Sequence, residues 1–193
     1  MLSSKDSLKI LKETNALQEG HFILSSGLHS DKYVQCAQLL SKPGKARKIC
    51  NSLSKKIKEN FKKIDLILSP AIGGIVIGYE IGRLLGIETI FAERKDKNFE
   101  LGRGFELKKG QKILIIEDVI TTGKSSLECS SLVIKAQAKV IGYACIIDRS
   151  NGKSNIKEKI ISQLKMEIRT YKKENLPNHL KKINPIKPGS RKI

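Results

Sequence analysis

The chain has 193 residues, of which 39% are hydrophobic, and this is enough for one domain with a full core. No apolar run approaches the length of a membrane span, and Met1–Asp6 lacks the apolar region of a secretory signal, so we expect a soluble cytoplasmic protein. The net charge of +18 favours acidic ligands, including nucleic acid, but the lysines are dispersed and only 5% of residues are aromatic. We therefore expect solvated charged faces and no nucleic acid, although a small polyanionic substrate would also benefit from the positive field.

The first third of the chain predicts a helix, a strand pair and a second helix. Leucines within Ser7–Leu17 indicate a short amphipathic helix. The segment Gly20–Tyr33 is rich in Gly and Ser, which favours strand-loop-strand. Pro43 opens a helix that carries apolar residues on one face. His21 and His29 fall in the strand-loop-strand, where we expect structural hydrogen bonds rather than base catalysis.

The middle of the chain predicts strands that alternate with helices. Leu66–Ser69 is a short buried strand, followed by a Gly-containing turn and a helix that runs to about Leu85. Thr89–Ala92 is the next strand. The polar segment Glu93–Gly110 predicts a mobile loop with a hairpin at Leu101–Leu107 and no apolar face of its own.

The last part of the chain contains two further apolar runs. Lys112–Ile116 predicts a buried strand that precedes a helix from Ser125 to about Lys135, and Val140–Ile147 predicts another strand. Tyr171–Ile193 is basic and predicts an extended tail around a short helical turn. Cysteines at four distant positions form no C-x-x-C pair, so we expect buried free thiols: Cys36, Cys50, Cys129 and Cys145.

Alternating strands and helices indicate a parallel sheet, whose ligands bind at the carboxyl ends of the strands. Three loops occupy such positions: Ser69–Gly74, Asp118–Ser125 and Asp148–Arg149. Gly73 and Gly74 allow backbone N–H groups to approach a pyrophosphate closely. The sequence therefore predicts an active site at this edge of the sheet.

The run from Ile115 to Ser126 is the most specific part of the sequence, because two acids are followed by hydroxyls and glycine before a helix. Such a helix N-terminus suits a phosphate. The acids Glu117 and Asp118 suit sugar hydroxyls or a ligand that carries magnesium. Together they imply a ribose with a 5-phosphate.

Two alternatives explain part of the same run. A P-loop shares Gly123-Lys124-Ser125 but requires glycine where Asp118 stands. A strand-turn-helix junction with a Ser or Thr cap would need no ligand.

The run resembles the phosphoribosyl-pyrophosphate motif of the type I phosphoribosyltransferases, and nearly the whole chain is similar to their orotate phosphoribosyltransferase branch. The resemblance implies an α/β fold with a mostly parallel central sheet flanked by helices, a small N-terminal hood and a mobile loop. It implies a single domain, 1–193, with a hood and base-recognition segment at 1–40, a core at 41–152 and a C-terminal segment at 153–193.

The resemblance also implies the roles of individual residues. Cationic side chains near the leaving pyrophosphate, together with one acid, are the implied catalytic residues: Arg94, Lys95, Lys97, Arg103 and Asp118. The residues implied to bind phosphoribosyl pyrophosphate are Ala71, Gly73, Gly74, Glu117, Asp118, Val119, Ile120, Thr121, Thr122, Gly123, Lys124 and Ser125. The residues implied to bind the base are Ser26, Gly27, Thr121 and Arg149.

The implied reaction transfers ribose 5-phosphate to orotate, with Mg²⁺ as cofactor carried mainly by phosphoribosyl pyrophosphate and no metal site of the protein. Alternatives are transfer to another base such as a purine, or a non-catalytic regulator of the same fold. Some relatives have a lysine where this chain has Ser25, and some have a Cys-Pro-x-Cys tail where this chain has Leu176–His179. Lys187–Arg191 resembles the tail pattern of one bacterial branch of these enzymes.

The resemblance further implies a homodimer in which the cationic loop of each subunit acts in the partner's site. Apolar residues of the N-terminal segments are our candidates for part of the two-fold interface: Leu8, Leu11 and Phe22.

Overall fold

A computed structural model of the chain describes residues 1–24, 26–96 and 98–188. The strands of this part are β1 (Leu17–Ile23), β2 (His29–Val34), β3 (Leu66–Pro70), β4 (Thr89–Lys95), β5 (Asn98–Leu101), β6 (Lys112–Ile120), β7 (Lys139–Asp148), β8 (Ile160–Lys165) and β9 (Thr170–Tyr171). The helices are α1 (Ser4–Glu13), α2 (Cys36–Leu40), α3 (Pro43–Asn60), α4 (Gly73–Leu85), α5 (Lys124–Lys135) and α6 (Asn178–Lys181), with a 3₁₀ turn at Lys173–Asn175.

The central sheet has the strand order β5-β4-β3-β6-β7-β8. All neighbouring pairs are parallel except β4 and β5, which form an antiparallel hairpin. The predicted mostly parallel α/β sheet is therefore confirmed. Strand β8 was not predicted, and it brings part of the 153–193 segment into the core sheet.

Helices cover both faces of this sheet and form two apolar cores. One core contains residues of α1, α3 and α4 together with Leu114 and Ile116 of β6. The other contains Cys129 and Val133 of α5 together with Ile113 and Ile115. Successive side chains of a strand point to opposite faces, and β6 therefore contributes to both cores in alternation.

A second sheet, in the order β1-β2-β9, forms the hood. Its strands pair antiparallel, and the strand-loop-strand predicted at Gly20–Tyr33 is confirmed. The C-terminal segment returns to the hood at Ile186, whose N–H and carbonyl bond to the backbone of His21 and Ile23 at 2.8 Å each. No helix in the described ranges is long and apolar enough to cross a membrane.

Several predicted boundaries were wrong. The first helix ends at Glu13, and Leu17 already belongs to β1. The hairpin predicted at Leu101–Leu107 lies instead at β4 and β5, where Glu93 pairs with Glu100 and Arg94 with Phe99. The strand predicted to end at Ile116 continues to Ile120, because its backbone keeps its pairing with β7.

Candidate active site

The carboxyl ends of β3, β6 and β7 meet at one edge of the sheet, as predicted. Strand β6 ends at Ile120, and the loop Thr121–Gly123 leads directly into α5. Gly123 lies in the left-handed region, with φ of 79°, and a Cβ there would lie 2.8 Å from Ile156. Only glycine fits this turn, and the first N–H groups of α5 are left at the edge where a phosphate would bind.

Glu117 and Asp118 lie on opposite faces of the sheet, because they are consecutive residues of β6. The carboxylate of Glu117 faces α5 and accepts a hydrogen bond from the hydroxyl of Ser126. The carboxylate of Asp118 faces the loop before α4, and its Oδ1 accepts the N–H of Val119 at 3.0 Å. The two carboxylates therefore lie on the two faces of the sheet rather than as a side-by-side pair.

Burial raises the pKa of both acids. The pKa of Glu117 rises to about 7 because of burial and the nearby charge of Asp118, while hydrogen bonds from Ser126 and Ser125 act in the opposite direction. Burial also raises the pKa of Asp118, and the N–H of Val119 opposes the shift. Each carboxylate is thus partly withdrawn from water before any ligand binds.

The loop from Ala71 to Gly74 lies directly beside Asp118. Ala71 and Ile72 are joined by a cis peptide bond. A Cβ at Gly73 would lie 2.8 Å from Oδ1 of Asp118, and a Cβ at Gly74 would lie 3.0 Å from the carbonyl oxygen of Ile116. The loop therefore lies close to β6 at both glycines, and the start of α4 is held against the side chain of Asp118.

Arg149 follows β7, and its backbone N–H donates to the carbonyl of Ile120 at 2.8 Å, so it adjoins the loop Thr121–Gly123, which we call the phosphate loop because of its predicted role. Its Nε is buried, and no acceptor for it exists among the residues described. Burial lowers the pKa of the guanidinium, while Cys36 and Tyr33 act in the opposite direction. A half-buried cation whose buried Nε lacks an acceptor is suited to an anionic group on a ligand.

The cationic residues of the predicted lid lie on or near the β4–β5 hairpin. Arg94 pairs with Glu128 of α5 and stacks over Phe99, with its guanidinium carbon 4.3 Å from the ring centroid. Arg103 donates two hydrogen bonds to Glu93, at 2.7 and 2.9 Å. Lys95 is exposed at the end of β4, and Lys97 lies outside the described residues. Both arginines are thus held by carboxylates next to the site.

The expectation that Glu93–Gly110 lacks an apolar face was wrong. Phe99 is buried in the core that includes α5, and Leu101, Phe105 and Leu107 pack against that core. Phe105 also meets Phe91 edge to face, with ring centroids 5.2 Å apart. Polar and apolar residues alternate along the hairpin, so the overall polar composition of the segment did not indicate a buried apolar face.

The loop between β1 and β2 carries the predicted base-binding residues Ser26 and Gly27. Gly27 is in the left-handed region, with φ of 79°, and its N–H donates to the carbonyl of Leu24 at 2.9 Å. Both residues are exposed, whereas Ser25 lies outside the described residues. The tail match at Lys187–Arg191 is described only as far as Pro188.

His21 and His29 form a buried pair in the hood. His21 Nε2 and His29 Nδ1 are 2.6 Å apart, and His21 Nδ1 lies 2.8 Å from the carbonyl oxygen of Ile183. A carbonyl oxygen only accepts, so His21 donates from Nδ1. The predicted structural role is confirmed, because the pair joins both hood strands to the C-terminal segment.

Two contacts of the phosphate loop were missed. Ser126 is fully buried and bonds to Glu117, but it was not among the predicted site residues. Asn155 donates its N–H to the carbonyl of Thr122 at 3.3 Å, and Ile156 packs against Gly123. The serine could have been found from its position two residues into a predicted helix, whereas the contact with 155–156 leaves no local signal.

Comparison with known proteins agrees with this geometry. The family model described as "Phosphoribosyl transferase domain" matches residues 37–181. The orotate phosphoribosyltransferase of Parvibaculum lavamentivorans is 44% identical over 192 residues, which cover 97% of this chain and 99% of that relative.

Two solved structures share the fold at low sequence identity. The orotate phosphoribosyltransferase from Aeropyrum pernix has a TM-score of 0.71 at 21% identity, and the match covers 82% of this chain and 92% of that one. The adenine phosphoribosyltransferase from Thermoanaerobacter pseudethanolicus has a TM-score of 0.61 at 19% identity, with coverage of 70% and 88%. The fold is therefore common to enzymes with different bases, whereas the sequence match extends over nearly the full length of orotate enzymes. The chain belongs to the phosphoribosyltransferase family, and within it to the orotate phosphoribosyltransferases.

Proposed function

We propose that the protein transfers ribose 5-phosphate from phosphoribosyl pyrophosphate to N1 of orotate in pyrimidine biosynthesis, with release of pyrophosphate. The products are orotidine 5′-monophosphate and pyrophosphate. The observation that carries the choice of base is Arg149, a half-buried cation at the edge of the site whose buried Nε has no acceptor among the described residues. Orotate has a carboxylate that can pair with it, and purine bases have none.

The substrate is distributed over the three loops. The 5-phosphate would bind the N–H groups and hydroxyls at Thr121–Ser125, where α5 begins. The pyrophosphate would lie against Ala71–Gly74, next to Asp118. Glu117 and Asp118 would accept the ribose hydroxyls from two sides, because their carboxylates point to opposite faces of the sheet.

The chemistry requires no nucleophile from the protein. Deprotonated N1 of orotate donates its electron pair to C1 of the ribose, and the bond from C1 to pyrophosphate breaks with the pair going to pyrophosphate. Positive charge that develops on the ribose is favoured by the nearby carboxylates, and negative charge on the leaving group is favoured by the lid cations. For Arg94 and Arg103 this requires an exchange of Glu128 and Glu93 for pyrophosphate.

We propose Mg²⁺ as the cofactor, carried mainly by phosphoribosyl pyrophosphate. The described residues contain no group of three or more His, Cys, Asp or Glu side chains that could hold a metal ion. A cation whose oxygen ligands come largely from the substrate is compatible with such a site. When bound, Mg²⁺ would neutralise part of the pyrophosphate charge.

We propose a homodimer in which the lid acts in the partner's site. Of the N-terminal residues first considered for the interface, Leu11 and Phe22 are buried within their own subunit, whereas Leu8 is only partly buried against the core and stays a candidate. Helix α4 and its N-cap residue present an exposed apolar stripe with helical spacing. Its residues and their exposed fractions are Ile72 (86%), Val76 (53%) and Tyr79 (66%).

The position of this stripe supports a second copy of the chain as its occupant. The stripe begins in the loop Ala71–Gly74, the pyrophosphate loop of this proposal. It adjoins a groove of about 340 Å³ that is lined largely by apolar residues of α2 and α3, among them Leu40, Pro43 and Ala46. A subunit seated on this surface would lie next to the pyrophosphate loop, within reach for a shared site. The free, buried state of all four cysteines is compatible with the reducing cytoplasm that we propose as the location.

The test is a panel of bases. Purified protein is mixed with phosphoribosyl pyrophosphate, Mg²⁺ and orotate, uracil or adenine, and pyrophosphate release is followed. We expect turnover with orotate. Turnover with adenine but not orotate would indicate a purine enzyme, and binding of phosphoribosyl pyrophosphate without turnover on any base would indicate a regulator. Either result contradicts the proposal.

A further inference from the structure

The side chain of Ser126 donates a hydrogen bond to the carboxylate of Glu117. Ser126 is the third residue of α5 and is fully buried. Its hydroxyl donates to Oε2 of Glu117, which lies nine positions earlier on β6. The bond fixes Oε2 of the carboxylate at the side of β6 that faces α5.

We propose that Ser126 is a positioning residue that holds the carboxylate of Glu117, ionised and correctly oriented, for the ribose hydroxyls of phosphoribosyl pyrophosphate. The inference rests on the proposed function, because it assigns Ser126 an effect on that substrate through Glu117. Ser126 itself is buried behind the carboxylate and need not contact the ligand. A fully buried hydroxyl that only packed in the core would be costly to retain without such a partner.

The ionisation of Glu117 depends on this bond in a definite direction. Burial and Asp118 raise the pKa of Glu117 to about 7, and the hydroxyl donor lowers it. Removal of the donor therefore raises the pKa further and reduces the charged fraction near neutral pH. A protonated Glu117 is a weaker acceptor for a sugar hydroxyl than a carboxylate.

The other groups around Glu117 are unchanged when the Ser126 hydroxyl is removed, so they would not cause the further rise in the pKa of Glu117. Cys145 lies opposite on β7 and Cys129 on α5, and burial raises the pKa of Cys129 to about 12 and that of Cys145 well above its ordinary value. The Arg94–Glu128 ion pair lies beyond Cys129. Ser125 also donates to Glu117, but it is unchanged in the Ser126 variants, and Asp118 faces the other side of the sheet from Ser126. A change at Ser126 therefore reports on Glu117.

The experiment measures kcat/KM for phosphoribosyl pyrophosphate from pH 5.5 to 9 at saturating orotate, in wild type and Ser126→Ala. A lost hydrogen bond to a charged group shifts a pKa by about one unit or more. We expect the acid-side inflection to move upward by about one unit, with a loss of about five-fold at pH 7 from ionisation alone and a smaller loss at pH 9. The KM for orotate should change little.

Matched variants separate positioning from folding. Ser126→Cys retains the size of the side chain but is a weak donor, so it should show the same upward shift if Ser126→Ala does not fold. Ser130→Ala removes another buried serine, one turn further along α5, and should leave the profile unchanged. In a Glu117→Gln background, Ser126→Ala should cause no further loss of kcat/KM.

Profiles of Ser126→Ala and Ser126→Cys that superimpose on wild type would overturn the inference, as would fully additive losses in the double variant. Failure of the proposed function is distinguishable, because wild-type protein would then form no product from orotate. An active wild type with unshifted variants refutes the positioning role alone.

Discussion

Gly73 offers a test of whether the position of Asp118, rather than its presence alone, governs activity. A methyl group at this position would lie 2.8 Å from Oδ1 and 3.1 Å from Oδ2 of Asp118, against ordinary contacts of 3.4–4 Å. In Gly73→Ala the carboxylate must therefore move by about 0.6 Å, the difference between 3.4 and 2.8 Å. Misplacement by about 1 Å costs about 100-fold in rate, so we expect a loss of about 10- to 100-fold in kcat/KM.

The stability of Gly73→Ala should not fall with its activity. The backbone of Gly73 is outside the left-handed region, and alanine in a helix is favoured over glycine by about 0.5–1 kcal/mol. The flexible end of a side chain yields to the new methyl group, so we expect an unchanged or slightly higher free energy of unfolding.

Gly74→Ala is the matched control. Its methyl would lie 3.0 Å from the carbonyl oxygen of Ile116 and 3.1 Å from Pro70, which are backbone and ring atoms that yield less readily. Overpacking of this kind costs about 1–3 kcal/mol. Urea unfolding and kcat/KM are measured for both variants. If Gly73→Ala keeps full activity while Asp118→Asn loses it, the geometric argument is refuted.

Three further predictions address the interface, the lid and the buried acid. Val76→Asp should convert the dimer to a monomer in analytical ultracentrifugation, whereas Ile134→Asp, which changes another exposed apolar residue (67%) on α5, should not; equal behaviour would contradict the α4 interface. Mixing inactive Arg103→Ala with inactive Asp118→Asn should restore activity in half of the sites of hybrid dimers, and verified hybrids that remain inactive would place the lid in its own subunit. Glu117→Gln should stabilise the fold above pH 7 by up to about 3 kcal/mol and much less at pH 4. The sign follows from the raised pKa of Glu117, because the folded state binds more protons than the unfolded state between pH 4.5 and 7. The stability of the wild type therefore falls as the pH rises through that window. Parallel curves of stability against pH for wild type and Glu117→Gln would contradict this prediction.

The parts of the site that were predictable from sequence are those that depend on residues adjacent in the chain. The apolar run into Glu117 and Asp118, the Thr-Thr-Gly loop and the start of α5 all appear where the local pattern places them. The same is true of the glycines at 73 and 74, whose need for space follows from a strand that turns directly into a helix.

The parts that were missed depend on contacts between distant residues. Strand β8 contains two polar residues, Ser162 and Gln163, and was not predicted. Lys56 donates to both of their carbonyls, at 3.1 and 3.0 Å, and Gln163 Nε2 donates to Ser7 at 2.8 Å. These partners lie more than 100 positions away, so no window of sequence reveals the hydrogen bonds that hold β8 in place.

The candidate interface shows the same limit. Leu11 and Phe22 have the pattern of an exposed apolar face when the N-terminal segments are considered alone, but the core of the same subunit covers them. The stripe on α4 was not identified because that helix is apolar on several sides, and only the packing distinguishes buried Ile77 and Ile81 from exposed Val76 and Tyr79.

The most direct test of the central claim is discrimination between orotate and uracil, which lacks the carboxylate, in wild type and Arg149→Ala. Loss of a charge-assisted pair corresponds to about 10- to 150-fold. The account predicts that wild type strongly prefers orotate, that Arg149→Ala raises the KM for orotate by that factor with little change for phosphoribosyl pyrophosphate, and that Arg149→Lys falls between them. Equal losses for both substrates, or an undiminished preference for orotate over uracil in Arg149→Ala, would contradict it.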